Sequence, residues 1–334
     1  MAVEWKTATL APIPGEEPIH LGYFDTGAPE NVQEPYTTII AVHGFSSNGG
    51  AWENSAALFA KDVRFIAHNR RGYLGSSDHY EGEAKDAVGR YMIDLAGFIR
   101  FVAEKLNVPA KDEEGRGGIV VMGWSKGTAS TMTLLSLLAS PKQPPFSLPG
   151  SLDLQPYLST LKTHLRHLIL FEPPGETIGL PYTPDYAAVI NSDKPFMEAF
   201  PAWLVPTVPE EKRHMLGKAV DVKNAAKDFT VWLAERTDEK ECARVAEVGL
   251  KHVPKDIGVG LIWCAGSIQW CRDTGAWIAE RLGDQPNTVV RNIPGGHHFF
   301  NITDAEIFVP AIESLIAELD KRVYTPGPIV PSAL

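Results

Sequence analysis

Residues Gly123-Trp124-Ser125-Lys126-Gly127 set a hydroxyl between two glycines. Such a G-x-S-x-G spacing arises by chance in about one chain in ten of this length, so its surroundings must carry the argument. Before it, residues 118–122 (GIVVM) read as a buried strand; after it, residues 128–139 (TASTMTLLSLLA) read as a helix. A serine on a sharp strand-to-helix turn exposes its Oγ at the top of a sheet, and glycines on either side relieve the crowded backbone. Without such a turn, the serine would only cap a helix. Ser125 is therefore the candidate nucleophile.

A hydroxyl needs a base. Of ten histidines, His297 and His298 lie in a glycine loop (IPGGHHF, residues 293–299) after the last strand candidate. An imidazole titrates near neutrality, so it can take the hydroxyl proton and return it to a leaving group. His298, directly before Phe299, is preferred over His297. A developing oxyanion needs two N–H donors. The amide of Lys126 supplies one, and the amide of Phe45, in the turn His43-Gly44-Phe45-Ser46, supplies the other. His43 reads as a residue that shapes this turn, and the Lys126 side chain as a solvated lysine at a helix start.

The acid departs from the commonest arrangement, a Gly-x-x-Asp loop after the strand at residues 258–263. Here that loop reads Gly266-Ser267-Ile268-Gln269, and Asp273 comes four residues later. Glu172 stands directly after the strand at residues 167–171, where a carboxylate would hold the imidazole's other nitrogen. Glu172 is the preferred acid, Asp273 the second candidate, and a dyad without an acid the third. Phe45, Trp124 and Trp203 are the candidate substrate contacts.

Positioning these groups takes a sheet. Short β-branched runs at residues 37–42, 63–67, 118–122, 167–171 and 258–263, with a weaker one at 287–292, alternate with helical patterns. The pattern at 91–106 spaces Met92, Leu95, Phe98, Ile99 and Val102 by three and four; further helices are expected at 274–282 and 305–323. This alternation predicts an α/β fold with a mostly parallel sheet and helices on both faces. Residues 4–10 and 19–25 suit an antiparallel opening pair. Residues 174–256, rich in proline and aromatics (Phe196, Phe200, Trp203, Phe229 and Trp232 among them), predict an inserted, mainly helical cap. The expected division is a core of residues 1–173 and 257–334 with a cap (lid) at 174–256. A shorter insertion, residues 141–160, is expected on the surface.

Together these motifs resemble the α/β-hydrolase superfamily of the serine type, over about residues 36–323. Asn69-Arg70-Arg71, Gly123-Trp124-Ser125, Leu170-Phe171-Glu172-Pro173-Pro174 and His298-Phe299 are similar to fungal hydrolases of secondary-metabolism type. That resemblance implies an acidic residue after the sixth strand, hence Glu172. It also sets aside haloalkane dehalogenases and epoxide hydrolases, whose nucleophile is Asp. The implied activity is hydrolysis of an ester, lactone or thioester of an apolar or aromatic small molecule, with no cofactor and no metal. C–C bond hydrolysis, lyase or acyl-transfer chemistry on the same fold is the alternative, and a binding protein with a vestigial triad the second.

The composition agrees with a small-molecule partner. A formal net charge of -10 and the lack of a basic run argue against nucleic acid. No stretch of about 18 apolar residues suggests a membrane helix. Residues 1–10 lack a secretory pattern, which leads to a cytoplasmic expectation, with a peroxisomal alternative from Ser332-Ala333-Leu334. Cys242, Cys264 and Cys271 show no ligand spacing and are expected to pack as small hydrophobes. Oligomeric state is not legible.

Overall fold

The β-branched runs become strands of a single sheet. The computed structural model describes residues 3–11, 13–30, 35–79, 86–218, 220–221, 224–225, 239–283 and 285–324. Its strands are β1 (Trp5–Leu10), β2 (Ile19–Asp25), β3 (Thr37–Val42), β4 (Val63–His68), β5 (Ile119–Trp124), β6 (Leu165–Phe171), β7 (Gly258–Cys264) and β8 (Thr288–Ile293). Their spatial order is β1-β2-β4-β3-β5-β6-β7-β8. β2 runs antiparallel to β1 and β4, and every other ladder is parallel. The sequence order reverses beside β3, so β3 and β5 flank a switch point. In open sheets, ligands bind outside the carboxyl ends of strands at such a point.

Both faces of the central strands are apolar because both are covered. In β3, Ile40 and Val42 join one core cluster while Ile39 and Ala41 join the other; β5 divides in the same way, with Val121 against Val120 and Met122. This is the period-2 alternation of a strand, with hydrophobic residues at every position. Helix α1 (Ala87–Lys105) buries Met92, Leu95, Phe98, Ile99 and Val102, as their spacing predicted. It starts four residues earlier than the pattern suggested, and Arg90 in its first turn pairs with Asp86 and Glu16. Helix α2 (Gly127–Ala139) follows the Ser125 turn.

Residues 141–160 are not simply a surface loop. They lead into α3 (Gln155–His164), which buries Tyr157 and Leu161 in the same cluster as α1. Between β6 and β7 lie α4 (Pro184–Ile190), α5 (Phe196–Leu204), short 3-10 turns and α6 (Glu239–Lys251). Phe229 and Trp232, and the tail with Ser332-Ala333-Leu334, fall outside the described residues. Helix α6 buries Val245, Ala246 and Leu250 in the cluster that holds the apolar residues of α2, against which it packs. Helices α7 (Gln269–Leu282) and α8 (Ala305–Tyr324) complete the two layers. Among the described residues, no helix is long and apolar enough to cross a membrane.

Candidate active site

Ser125 sits at the carboxyl end of β5 with φ +51, left-handed backbone that a non-glycine residue rarely adopts. Its N–H donates to the Phe171 carbonyl at 2.9 Å, and its own carbonyl accepts the Thr128 N–H at 2.8 Å, which holds the turn. A side chain at Gly127 would lie 2.6 Å from the Val42 carbonyl oxygen, and one at Gly123 2.6 Å from the Gly127 carbonyl oxygen. The glycines in the motif are steric requirements. Ser46 and Glu172 also have positive φ, at 50 and 54, so three of the four such non-glycine residues among those described lie beyond the ends of β3, β5 and β6; the fourth, Asn107, follows α1.

The structure brings three of the expected residues into hydrogen-bonding series. His298 Nε2 lies 3.0 Å from Ser125 Oγ, and His298 Nδ1 lies 3.1 Å from Glu172 Oε2. Glu172 is fully buried, Ser125 is 8% exposed and His298 3% exposed. The carboxylate is well supplied with donors: Oε1 accepts the Cys264 N–H at 2.6 Å, and Oε2 accepts the Ser267 hydroxyl. Ser267 belongs to the loop where an aspartate is commonly found. Here that loop donates to an acid carried by the neighbouring strand.

Asp273, the second acid candidate, is exposed and accepts a hydrogen bond from Gln269 on its own helix. His297 is buried beside His298 but faces elsewhere. Its Nδ1 accepts the Phe299 N–H at 3.3 Å and its Nε2 lies 3.1 Å from Thr303 Oγ1; burial lowers its pKa.

The turn after β3 abuts Ser125, for a side chain at Gly44 would come 2.8 Å from Ser125 Cβ. Phe45 and Lys126 both line the pocket with Ser125. The turn is shaped by the Asn69-Arg70-Arg71 loop. His43 Nε2 accepts the Arg70 N–H at 2.9 Å, so Nδ1 carries the ring proton and donates to the Gly44 carbonyl at 2.8 Å. Both nitrogens of His43 are thereby engaged. Arg71 closes the loop with two hydrogen bonds to Asp94 on α1, at 2.6 and 2.8 Å. The first turn of α2 points its N–H groups and positive dipole end at Ser125.

Two expectations about side chains are corrected. Lys126 is not solvated: it is 4% exposed, with Nζ 5.5 Å from the centre of the Tyr91 ring. A cation held over an aromatic face loses less on desolvation than an isolated one. Trp124 does not line the pocket. It is 1% exposed, packs edge-on against Trp52 and Phe299, and donates its Nε1–H to the His298 carbonyl at 2.9 Å. Its bulk supports the histidine loop from beneath. Trp203 lines the pocket.

Sequence reasoning missed most of the pocket wall. Tyr186 on α4, Phe200 and Leu204 on α5, and Ile268 and Trp270 at the start of α7 face Ser125 with Trp203. Tyr186 and Trp270 stack with ring centres 4.1 Å apart, and Phe45 meets Phe200 edge-on at 5.3 Å. The aromatic richness of residues 174–256 was the available signal. These rings crowd the site so closely that the cavity holds about 20 Å³, room for one water. Among the described residues, Glu172, Cys271 and His298 bring three potential metal-ligand atoms together.

Residues 39–311 match the model of the alpha/beta hydrolase family. Bromoperoxidase from Bacillus anthracis superposes with a TM-score of 0.60 at 17% identity, covering 93% of this chain and 100% of that one. Est816, described as an N-acyl homoserine lactone degrading enzyme, gives a TM-score of 0.60 at 16% identity, covering 92% and 99%. A thermophilic esterase from Thermogutta terrifontis gives 0.54 at 14% identity, covering 94% and 99%. At such identities the likeness is one of fold. Among curated proteins, none matches this chain.

Proposed function

Since this chain belongs to the alpha/beta hydrolase family, we propose that it is a serine hydrolase of carboxylic esters, lactones or thioesters. The observation that carries this reading is the buried series Ser125 Oγ, His298, Glu172, with contacts of 3.0 and 3.1 Å. His298 Nε2 takes the proton as Ser125 Oγ attacks the carbonyl carbon. Glu172 holds the Nδ1–H and stabilises the imidazolium. The Phe45 and Lys126 amides, aided by the α2 dipole, receive the oxyanion. His298 then protonates the leaving group, and a water activated by the same nitrogen releases the acyl-enzyme.

Residues 1–173 and 257–334 form the catalytic core in this reading, and residues 174–256 the cap. Helices α4 and α5 are its roof, while α6 returns the chain to the sheet. The wall of Tyr186, Phe200, Trp203 and Trp270 favours an apolar or aromatic acyl group.

Fluorophosphonate labelling followed by peptide mapping tests the nucleophile. Label is expected on Ser125 of the wild type and absent from Ser125→Ala; no label on folded wild type would overturn the reading. A panel of acetate against longer aromatic esters tests the acyl preference, and a clear preference for acetates would remove it.

A further inference from the structure

Cys271 takes no part in the proposed chemistry, yet it touches the same groups. Its Sγ lies 3.5 Å from His298 Nδ1 and 3.5 Å from the Glu172 carbonyl oxygen. Sγ, Nδ1 and a Glu172 carboxylate oxygen all fall within 4.8 Å of one another. Thiolate, imidazole and carboxylate are the donors that a soft divalent cation accepts with one position left open. Tetrahedral bonds of about 2.0–2.3 Å separate such donors by about 3.3–3.8 Å. Here the separations are 3.5 Å from Sγ to Nδ1 and 3.1 Å from Nδ1 to Oε2, so small side-chain shifts complete the set.

We propose that Glu172, Cys271 and His298 form an inhibitory binding site for a thiophilic divalent cation such as Zn²⁺ or Cd²⁺. The inhibition rests on the serine-hydrolase reading; the binding does not. Charge explains why a buried site would accept the ion. Burial, reinforced by the Glu172 charge, keeps the Cys271 thiol protonated in the absence of metal. A bound dication reverses this, because thiolate and carboxylate together neutralise it and leave the site uncharged. His298, one of the three donors, and Trp270, the chain neighbour of Cys271, line the pocket over Ser125.

The proton balance accounts for inhibition. Coordination releases the Cys271 proton to solvent. The Nδ1 lone pair goes to the metal, so the single proton of the neutral imidazole is carried on Nε2. That tautomer presents an N–H to Ser125 Oγ and cannot accept its proton. The base is lost while Ser125 itself is untouched.

The test uses the purified full chain as wild type, Cys271→Ser and Cys271→Ala, titrated with Cd²⁺. The first readout is the ultraviolet charge-transfer band of a cadmium–thiolate bond. The second is the fluorophosphonate labelling rate at Ser125, with each variant referred to its own metal-free rate. Wild type should gain the band and lose labelling by about tenfold or more, with recovery on chelation, while both variants lack that band and stay within about twofold. Mg²⁺, a hard cation, should leave all three unchanged. Absence of the band from wild type, or equal inhibition of the variants, would overturn the site. If metal-free wild type never labels, the hydrolase reading fails, and the difference in band between wild type and the variants still decides the metal site.

Discussion

Two histidine–carboxylate pairs, each with a buried imidazole, sit at opposite ends of the sheet. At the carboxyl ends of the strands, His298 Nδ1 faces Glu172 at 3.1 Å and Nε2 faces Ser125 Oγ at 3.0 Å. At the other end, His167 Nε2 meets Asp320 at 2.7 Å, while Nδ1 accepts the Gly258 N–H at 3.1 Å. His167 is fully buried and its pKa is lowered, chiefly by desolvation, with Asp320 opposing. Both pairs would satisfy a search for histidine beside an acid. What separates them is the second ring nitrogen. In one pair it is offered to a hydroxyl on a strained turn in a pocket. In the other a backbone amide consumes it, and the pair fastens α8 to the amino-terminal ends of β6 and β7.

The largest consequence falls on the upper pair. Ser125→Ala or His298→Ala should lower ester hydrolysis by about 10³-fold or more with little change in thermal midpoint. Equal losses from His167→Ala in a folded protein would erase the distinction between the two ends. Next, Glu172→Gln should cost about 10²–10⁴-fold in kcat, because the imidazole loses its tautomer, whereas Asp273→Asn should leave kcat unchanged. A loss confined to Asp273→Asn would move the acid to the other candidate.

At the lower end, Asp320→Asn should leave Ser125 labelling unaltered and reduce unfolding stability by about 1 kcal/mol in urea titration, as Asp320 is partly exposed. A slowed label would show that the two pairs are coupled through the sheet.

A third buried histidine refines the contrast further. His68 packs its ring on Phe98, and burial, with a smaller contribution from Arg70, holds its pKa at about 4. In the unfolded chain it titrates near 6.5. Between these values the unfolded state binds a proton that the folded state does not, so stability falls on acidification and is recovered as pH rises. The ceiling is about 3 kcal/mol. His68→Leu should flatten the pH dependence of urea unfolding between about pH 4 and 6.5. A slope left intact would assign it to other groups.

The central strands were readable because each is buried on both faces, which leaves an uninterrupted β-branched run between turn residues. Ser125 was readable for a local reason: its turn demands glycine on both sides, and the motif prints that demand. Glu172 stands directly after a strand and His298 in the glycine loop beyond one, and a parallel sheet collects such loops at one end. The pocket wall was hidden. Tyr186 and Phe200 come from neighbouring helices and Trp270 from an element about 70 residues further on, and aromatic content does not say which rings turn inward. Trp124 stands beside Ser125 in the chain, but as the last residue of β5 its side chain is turned into the core. Lys126 was misplaced because charge was read as exposure, although an aromatic face can replace water.

Local backbone requirements and strand periodicity are written into the order of residues, so the fold class, the nucleophile's turn and the loops able to supply a base and an acid could be read directly. Which histidine nitrogen meets a hydroxyl and which meets an amide could not. Those contacts span 173 residues for His298 with Ser125 and 91 for His167 with Gly258. They exist only after the sheet has brought the strand ends together, because a hydrogen bond forms over about 3 Å and no spacing along an unfolded chain specifies such a distance.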